Sequence, residues 1–249
     1  MRWISFAAKV TLTFLLLASA VQAAEIKVIS ADGVREVLDV LKAKYEKATG
    51  NKLVIRYGVA NVLKNDIVDG EAFDLAILTG PVMDEMVQAG KVNPATRVDI
   101  ARVGLGIAYK AGAPKPDIHD AESFKAAMLA AQSIAYIRQG ASGLYFISVC
   151  EKLGIGDQVK AKVTALPGGH AAELVAKGEA ELATQLISDL LPVAGVQVID
   201  FPPDLQKFIL FPGAVGPAAK QPEAAAALLK FLTDPENAPV MKAMGMELG

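Results

Sequence analysis

Cysteine is almost missing: Cys150 is the only one among 249 residues. No internal disulfide can form, so the fold must be held by its core alone. Histidine is nearly as scarce, with His119 and His170 the only two. Two isolated histidines and one cysteine do not make the three- or four-ligand set that zinc needs, so no metal or other cofactor is expected. Positive charge is not in excess either: 25 Lys and Arg stand against 27 Asp and Glu. That balance excludes the basic face nucleic-acid phosphates require. The chain lacks a Gly-x-Ser-x-Gly elbow and a Walker-type phosphate loop, so neither a serine hydrolase nor a nucleotide-driven machine is encoded. Cys150 falls in the helical pattern Leu144, Ile147, Cys150, Leu153, which makes it a core thiol rather than a nucleophile. No enzyme is therefore expected.

What is present begins at the N-terminus. Met1-Arg2 and Lys9 form a basic start, Thr11 to Ala20 is an apolar stretch, and Val21-Gln22-Ala23 puts small residues before Ala24-Glu25. This is the pattern of a cleaved secretory signal over residues 1–23, too short in its apolar part to span a membrane. The mature chain, about 226 residues by this reading, is expected in the periplasm. It is long enough for two lobes of about 100 residues each.

Along the mature chain, strand-like runs alternate with helical ones. Ile26–Ile29, Leu53–Tyr57 and Asp74–Leu78 read as strands, separated by helical spacing at Val34, Val37, Leu38, Leu41 and Tyr45 and again at Val62, Ile67 and Val68. Val103–Tyr109, Ser133–Ile137, Lys162–Leu166, Glu181–Leu186, Val196–Phe201 and Phe208–Val215 read as further strands, and two helices over 222–233 and 235–243 close the chain. Such alternation indicates an α/β fold with largely parallel sheets covered by helices.

The order of these pieces resembles a known family. Tyr45-Glu46-Lys47-Ala48-Thr49-Gly50, then Tyr57-Gly58, then Phe73 to Leu78, then Ala141-Ser142-Gly143-Leu144-Tyr145, and finally Phe231-Leu232-Thr233-Asp234-Pro235 are similar to the solute-binding subunits of ABC importers, closest to the molybdate-binding branch. The resemblance spans essentially the whole mature chain. It implies a two-lobed periplasmic-binding-protein fold of type II, each lobe a mixed, mostly parallel sheet flanked by helices, joined by two crossing strands. Residues 24–104 and 209–249 would form lobe 1, and residues 105–208 lobe 2. It further implies a monomer whose partners are a small anionic ligand and the membrane permease of an importer.

A site at the lobe junction also follows from general physics, because ligands of open α/β sheets sit beyond the carboxyl ends of the strands. Helix N-termini there present unpaired N–H groups that favour an anion. Four glycine-bearing loops qualify, supplying Ala31, Asp32 and Gly33; Tyr57, Ala60 and Asn61; Arg138, Ser142 and Gly143; and Gly169 and His170. Thr79, Gln185 and Ser188 can add directional polar contacts. The molybdate-binding resemblance implies hydroxyl side chains at the positions occupied here by Gly33, Ala60 and Leu186. All three hydroxyls are missing, a loss of about 1–3 kcal/mol each for an oxyanion. A small organic acid is therefore favoured over a molybdate-like oxyanion, with the Arg138 fork placed to meet its carboxylate. A ligand-sensing partner of a signalling receptor would use the same fold and is the alternative role, with a secreted enzyme ranked behind it.

Overall fold

The structure, a computed structural model, describes residues 23–249. The expected export signal, all but Ala23, lies outside the described residues. Lobe 1 is built on a six-stranded sheet in the order β11-β4-β10-β3-β1-β2. Its strands are β1 (Glu25–Ala31), β2 (Lys52–Gly58), β3 (Leu75–Ile77), β4 (Val98–Val103), β10 (Ile209–Val215) and β11 (Met246–Leu248). Lobe 2 is built on a five-stranded sheet in the order β7-β6-β8-β5-β9. It comprises β5 (Leu105–Lys110), β6 (Ile134–Ile137), β7 (Val163–Leu166), β8 (Leu182–Leu186) and β9 (Val196–Asp200). The chain passes from the first sheet to the second at Gly104 and returns between Asp200 and Ile209.

Both sheets are mixed. β1 runs parallel to β2 and β3, and β6 runs parallel to β7 and β8, each through a helical crossover. The strand that enters each lobe from the other runs the opposite way: β10 is antiparallel to β3 and β4, and β5 to β8 and β9. The antiparallel share is larger than the alternation of elements suggests, because a strand that crosses between lobes needs no crossover helix to set its direction. The apolar run over 103–109 is likewise two strands, β4 ending at Val103 and β5 starting at Leu105, in different sheets. Apolar continuity reports burial and says nothing about which sheet a strand joins.

The helices follow their periodicity. α1 (Arg35–Thr49) buries Val37, Leu38, Leu41 and Tyr45 and stops at Gly50. The Tyr45 ring packs against Phe231 of α9 (Pro222–Leu232), with centroids 5.2 Å apart. α2 (Ala60–Val68) follows β2, and α3 (Gly80–Gln88) follows β3. In lobe 2, α4 (Ala121–Ala130), α5 (Ala141–Lys152), α6 (Gly156–Lys160), α7 (Ala172–Lys177) and the one-turn α8 (Ile187–Leu190) cover the second sheet. α10 (Ala238–Ala243) leads into β11. Cys150 is fully buried in the face of α5, as its spacing requires. Among the described residues no helix is long and apolar enough to cross a membrane.

Candidate functional site

The carboxyl ends of β1, β2 and β3 in one lobe face those of β6, β7 and β8 in the other, and the loops that follow them enclose a cavity of about 50 Å3. Ala31, Asp32, Gly33, Ala60, Asn61 and Thr79 line it from lobe 1, and Ser142, Gly169 and Gln185 from lobe 2. These nine are the expected site residues that the fold brings together.

Two helices aim their first turns at this space. α2 and α5 have Val59 and Gly140 at their N-caps, and neither receives a side-chain capping bond. The N–H groups of a helix's first turn have no partner within the helix. Ala60 and Asn61 in one lobe, and Ala141 and Ser142 in the other, thus offer main-chain donors with the positive end of a helix dipole behind them. Thr79 stands at the N-cap of α3 without closing its hydroxyl on the helix. Among the described residues no Lys or Arg side chain lines the cavity. Its walls are apolar where Val59, Ile137, Leu186 and Phe211 meet.

Close approach of the lobes explains the missing hydroxyl at Gly33. A Cβ there would lie 2.5 Å from Leu186 Cδ1 and 2.7 Å from Phe211 Cζ, so the two apolar side chains occupy the room a serine would need. The lobes also bond directly: the Ser188 hydroxyl donates to the Gly33 carbonyl at 2.9 Å, and the Asn61 amide to the Gln139 carbonyl at 3.1 Å.

The remaining expected residues stand outside the cavity, each for a local reason. Arg138 is exposed, its guanidinium 3.4 Å from the Ala165 carbonyl on the neighbouring strand. Tyr57 donates its hydroxyl to Asp39 at 2.6 Å and lies beneath the Arg35 guanidinium, 4.1 Å from the ring centroid. Gly143 lets α5 sit against the end of β6, since a Cβ would fall 2.0 Å from the Ile137 carbonyl oxygen. Ser188 is consumed by the interlobe bond to Gly33. His170 donates through Nδ1 to the Asp189 carbonyl at 2.8 Å, with Nε2 3.8 Å from Glu36 across the junction.

The sequence reading missed Asp189, which is 7% exposed and lines the cavity. Burial pushes its carboxyl up to about 7, with the carboxylates of Asp32 and Glu36 adding to the shift and His170 and Gln185 opposing it. It makes no ion pair among the described residues, whereas Asp32 pairs with Arg35. Ser188-Asp189-Leu190-Leu191 looks like an ordinary helix start, and only the lobe junction shows where the carboxyl goes. Gln185, on the same strand end, accepts from the Ala171 N–H and donates to the Gly169 carbonyl, both at 2.9 Å, which fixes the loop beside it. Among the described residues no group of three or more His, Cys, Asp or Glu could hold a metal ion.

The profile of the family described as "Bacterial extracellular solute-binding protein" matches residues 26–247. The chain is 32% identical over 227 residues to a Pseudomonas sp. protein named aconitate isomerase, covering 88% of this chain and 86% of that one. It is 28% identical over 240 residues to the molybdate-binding protein ModA of Azotobacter vinelandii, covering 94% of each. Among solved structures, an Azotobacter vinelandii periplasmic molybdate-binding protein superposes with a TM-score of 0.76 at 20% identity, covering 90% of this chain and 99% of that one. With the two-lobed fold, the cleft between the lobes and a family match over residues 26–247, the chain belongs to the bacterial extracellular solute-binding proteins.

Proposed function

We propose that this chain is a periplasmic capture protein for a small organic acid, which it holds as an anion between its lobes and delivers to the permease of an ABC importer. The observation that carries this reading is the convergence of two uncapped helix N-termini, one from each lobe, on a single cavity that no Lys or Arg among the described residues lines. Main-chain donors replace the water lost by a buried carboxylate. The apolar walls at Val59, Ile137, Leu186 and Phe211 suit a hydrocarbon portion, which a tetrahedral oxyanion does not have. The cavity has room for about four water-sized groups, so one carboxylate and its adjoining carbon fit while the lobes touch. Ligand-dependent contact between lobes couples occupancy to shape, which a permease can read.

Calorimetry with acetate, succinate, trans-aconitate, sulfate and molybdate tests the reading. Heat is expected with carboxylates and none with molybdate; tight molybdate binding with silent carboxylates would contradict it. A second reading, in which the cleft also transforms its acid, is supported by the relative named aconitate isomerase and by the buried carboxyl of Asp189 that lines the cavity.

A further inference from the structure

Resting on the organic-acid reading, we infer that Asp189 is a catalytic acid–base residue that moves a proton between two carbons of a bound unsaturated polycarboxylate and so shifts its double bond. Asp189 shares its cavity with the amide donors of α2 and α5. Its main chain is held by His170 Nδ1, and the loop beside it by the Gln185 amide. The charged and titratable groups facing it are Asp32, with its partner Arg35, and Glu36 from lobe 1, and His170 from lobe 2. None of them makes a salt bridge to it among the described residues. A carboxyl sharing a small cavity with an anion must hold a proton or exchange it. With its midpoint near neutrality, both forms coexist at working pH, as an acid–base group requires.

The step balances without an oxidant or a metal. The Asp189 carboxylate takes a proton from a CH2 carbon flanked by a carboxylate and a C=C bond. The C–H electron pair becomes the new C=C, and the old double-bond pair moves to the far alkene carbon. That carbon then takes the proton back from the Asp189 carboxyl, giving the double-bond isomer. In between, negative charge spreads onto the substrate carboxylate, where amide N–H groups at helix N-termini meet it as oxyanion donors.

An acid longer than the inner cavity has somewhere to go. Asn61, Thr79 and Ala141 also line an adjoining groove of about 540 Å3. There Lys207, 5.0 Å above the Tyr145 ring, and Arg97, paired with Asp84, are the cations that line the groove, beside Glu85.

The experiment follows trans-aconitate with the full mature protein in D2O by proton NMR, beside calorimetry on the same samples. The wild type is expected to bind, to incorporate deuterium at the CH2 and alkene carbons, and to generate the geometric isomer. Asp189→Asn should bind within about tenfold of wild type while exchange falls at least a hundredfold. Asp157→Asn, at the exposed start of α6 and away from the cleft, should keep exchange within about tenfold of wild type. Exchange should rise with pH and level off above about 7. Binding with neither deuterium incorporation nor formation of the geometric isomer overturns the inference and leaves the capture reading standing. Undiminished exchange in Asp189→Asn overturns it as well. No heat with any carboxylate overturns both readings.

Discussion

Replacing Asp189 by Asn should make stability less dependent on pH, by an amount the burial of this carboxyl sets. In the folded protein Asp189 keeps its proton up to about pH 7, against an ordinary value of 3.8. Between those values the native state binds more protons than the unfolded chain, so this residue's contribution to stability falls as pH rises and is flat above about 7. Going from pH 5 to pH 8 crosses two units of that window, which at about 1.4 kcal/mol per unit is about 3 kcal/mol. Asparagine has nearly the same shape and no charge to lose. The stability of Asp189→Asn relative to wild type should therefore be about 3 kcal/mol greater at pH 8 than at pH 5. For a chain of this length that is a relative shift in Tm of roughly 5–12 °C. Urea unfolding of both proteins at the two pH values isolates the effect, because titrating groups not coupled to Asp189 cancel in the difference. A pH-independent difference would refute the argument that Asp189 is buried without a cation beside it.

Three further outcomes follow from the same geometry. Arg138→Ala should leave carboxylate affinity within about twofold of wild type by calorimetry, because the guanidinium is exposed and turned toward the Ala165 carbonyl; a tenfold loss would put it back in the cleft. Gly33→Ser should destabilise the protein by about 1–3 kcal/mol through overpacking against Leu186 and Phe211, and should not confer molybdate binding; a stable molybdate-binding variant would contradict the close lobe contact. Ser188→Ala removes the donor to the Gly33 carbonyl and should weaken ligand binding about tenfold or more, since an unsatisfied buried carbonyl costs about 1–3 kcal/mol; unchanged affinity would mean the lobes do not meet there when ligand is bound.

Much of the fold was legible in the chain because burial imposes periods. α1 shows its core stripe at Val37, Leu38, Leu41 and Tyr45, and Ile26 to Ile29 announces a strand. Where tertiary pairing decides, local pattern fell short. β11 exists because Met246 to Leu248 pairs antiparallel with β4, across more than half the sequence. α3 hid behind Pro81, which reads as a break yet is tolerated in a first helical turn, where no intrahelical N–H bond is lost.

The cleft was legible in its main-chain parts and less so in its side chains. Loops at the ends of β1, β2 and β6 converge because α/β topology requires it, so Gly33, Ala60, Asn61 and Ser142 arrive together. Side-chain direction is another matter. Arg138 and Gln139 sit side by side at the end of β6, yet only Gln139 reaches the cavity. Asp189 lies one residue beyond Ser188, and their roles diverge: one hydroxyl closes the lobes, and one carboxyl faces the space between them. No spacing rule separates such neighbours. The orientation is set by packing across the junction, with Leu186 filling the space above Gly33.

The most direct test of the central claim is an amide-resolved NMR titration of the mature protein with a small carboxylate such as succinate. Saturable shifts are expected to concentrate at the N–H groups of Ala60, Asn61, Ala141 and Ser142, in the first turns of α2 and α5. Saturable shifts centred elsewhere, with these amides unmoved, would contradict that claim.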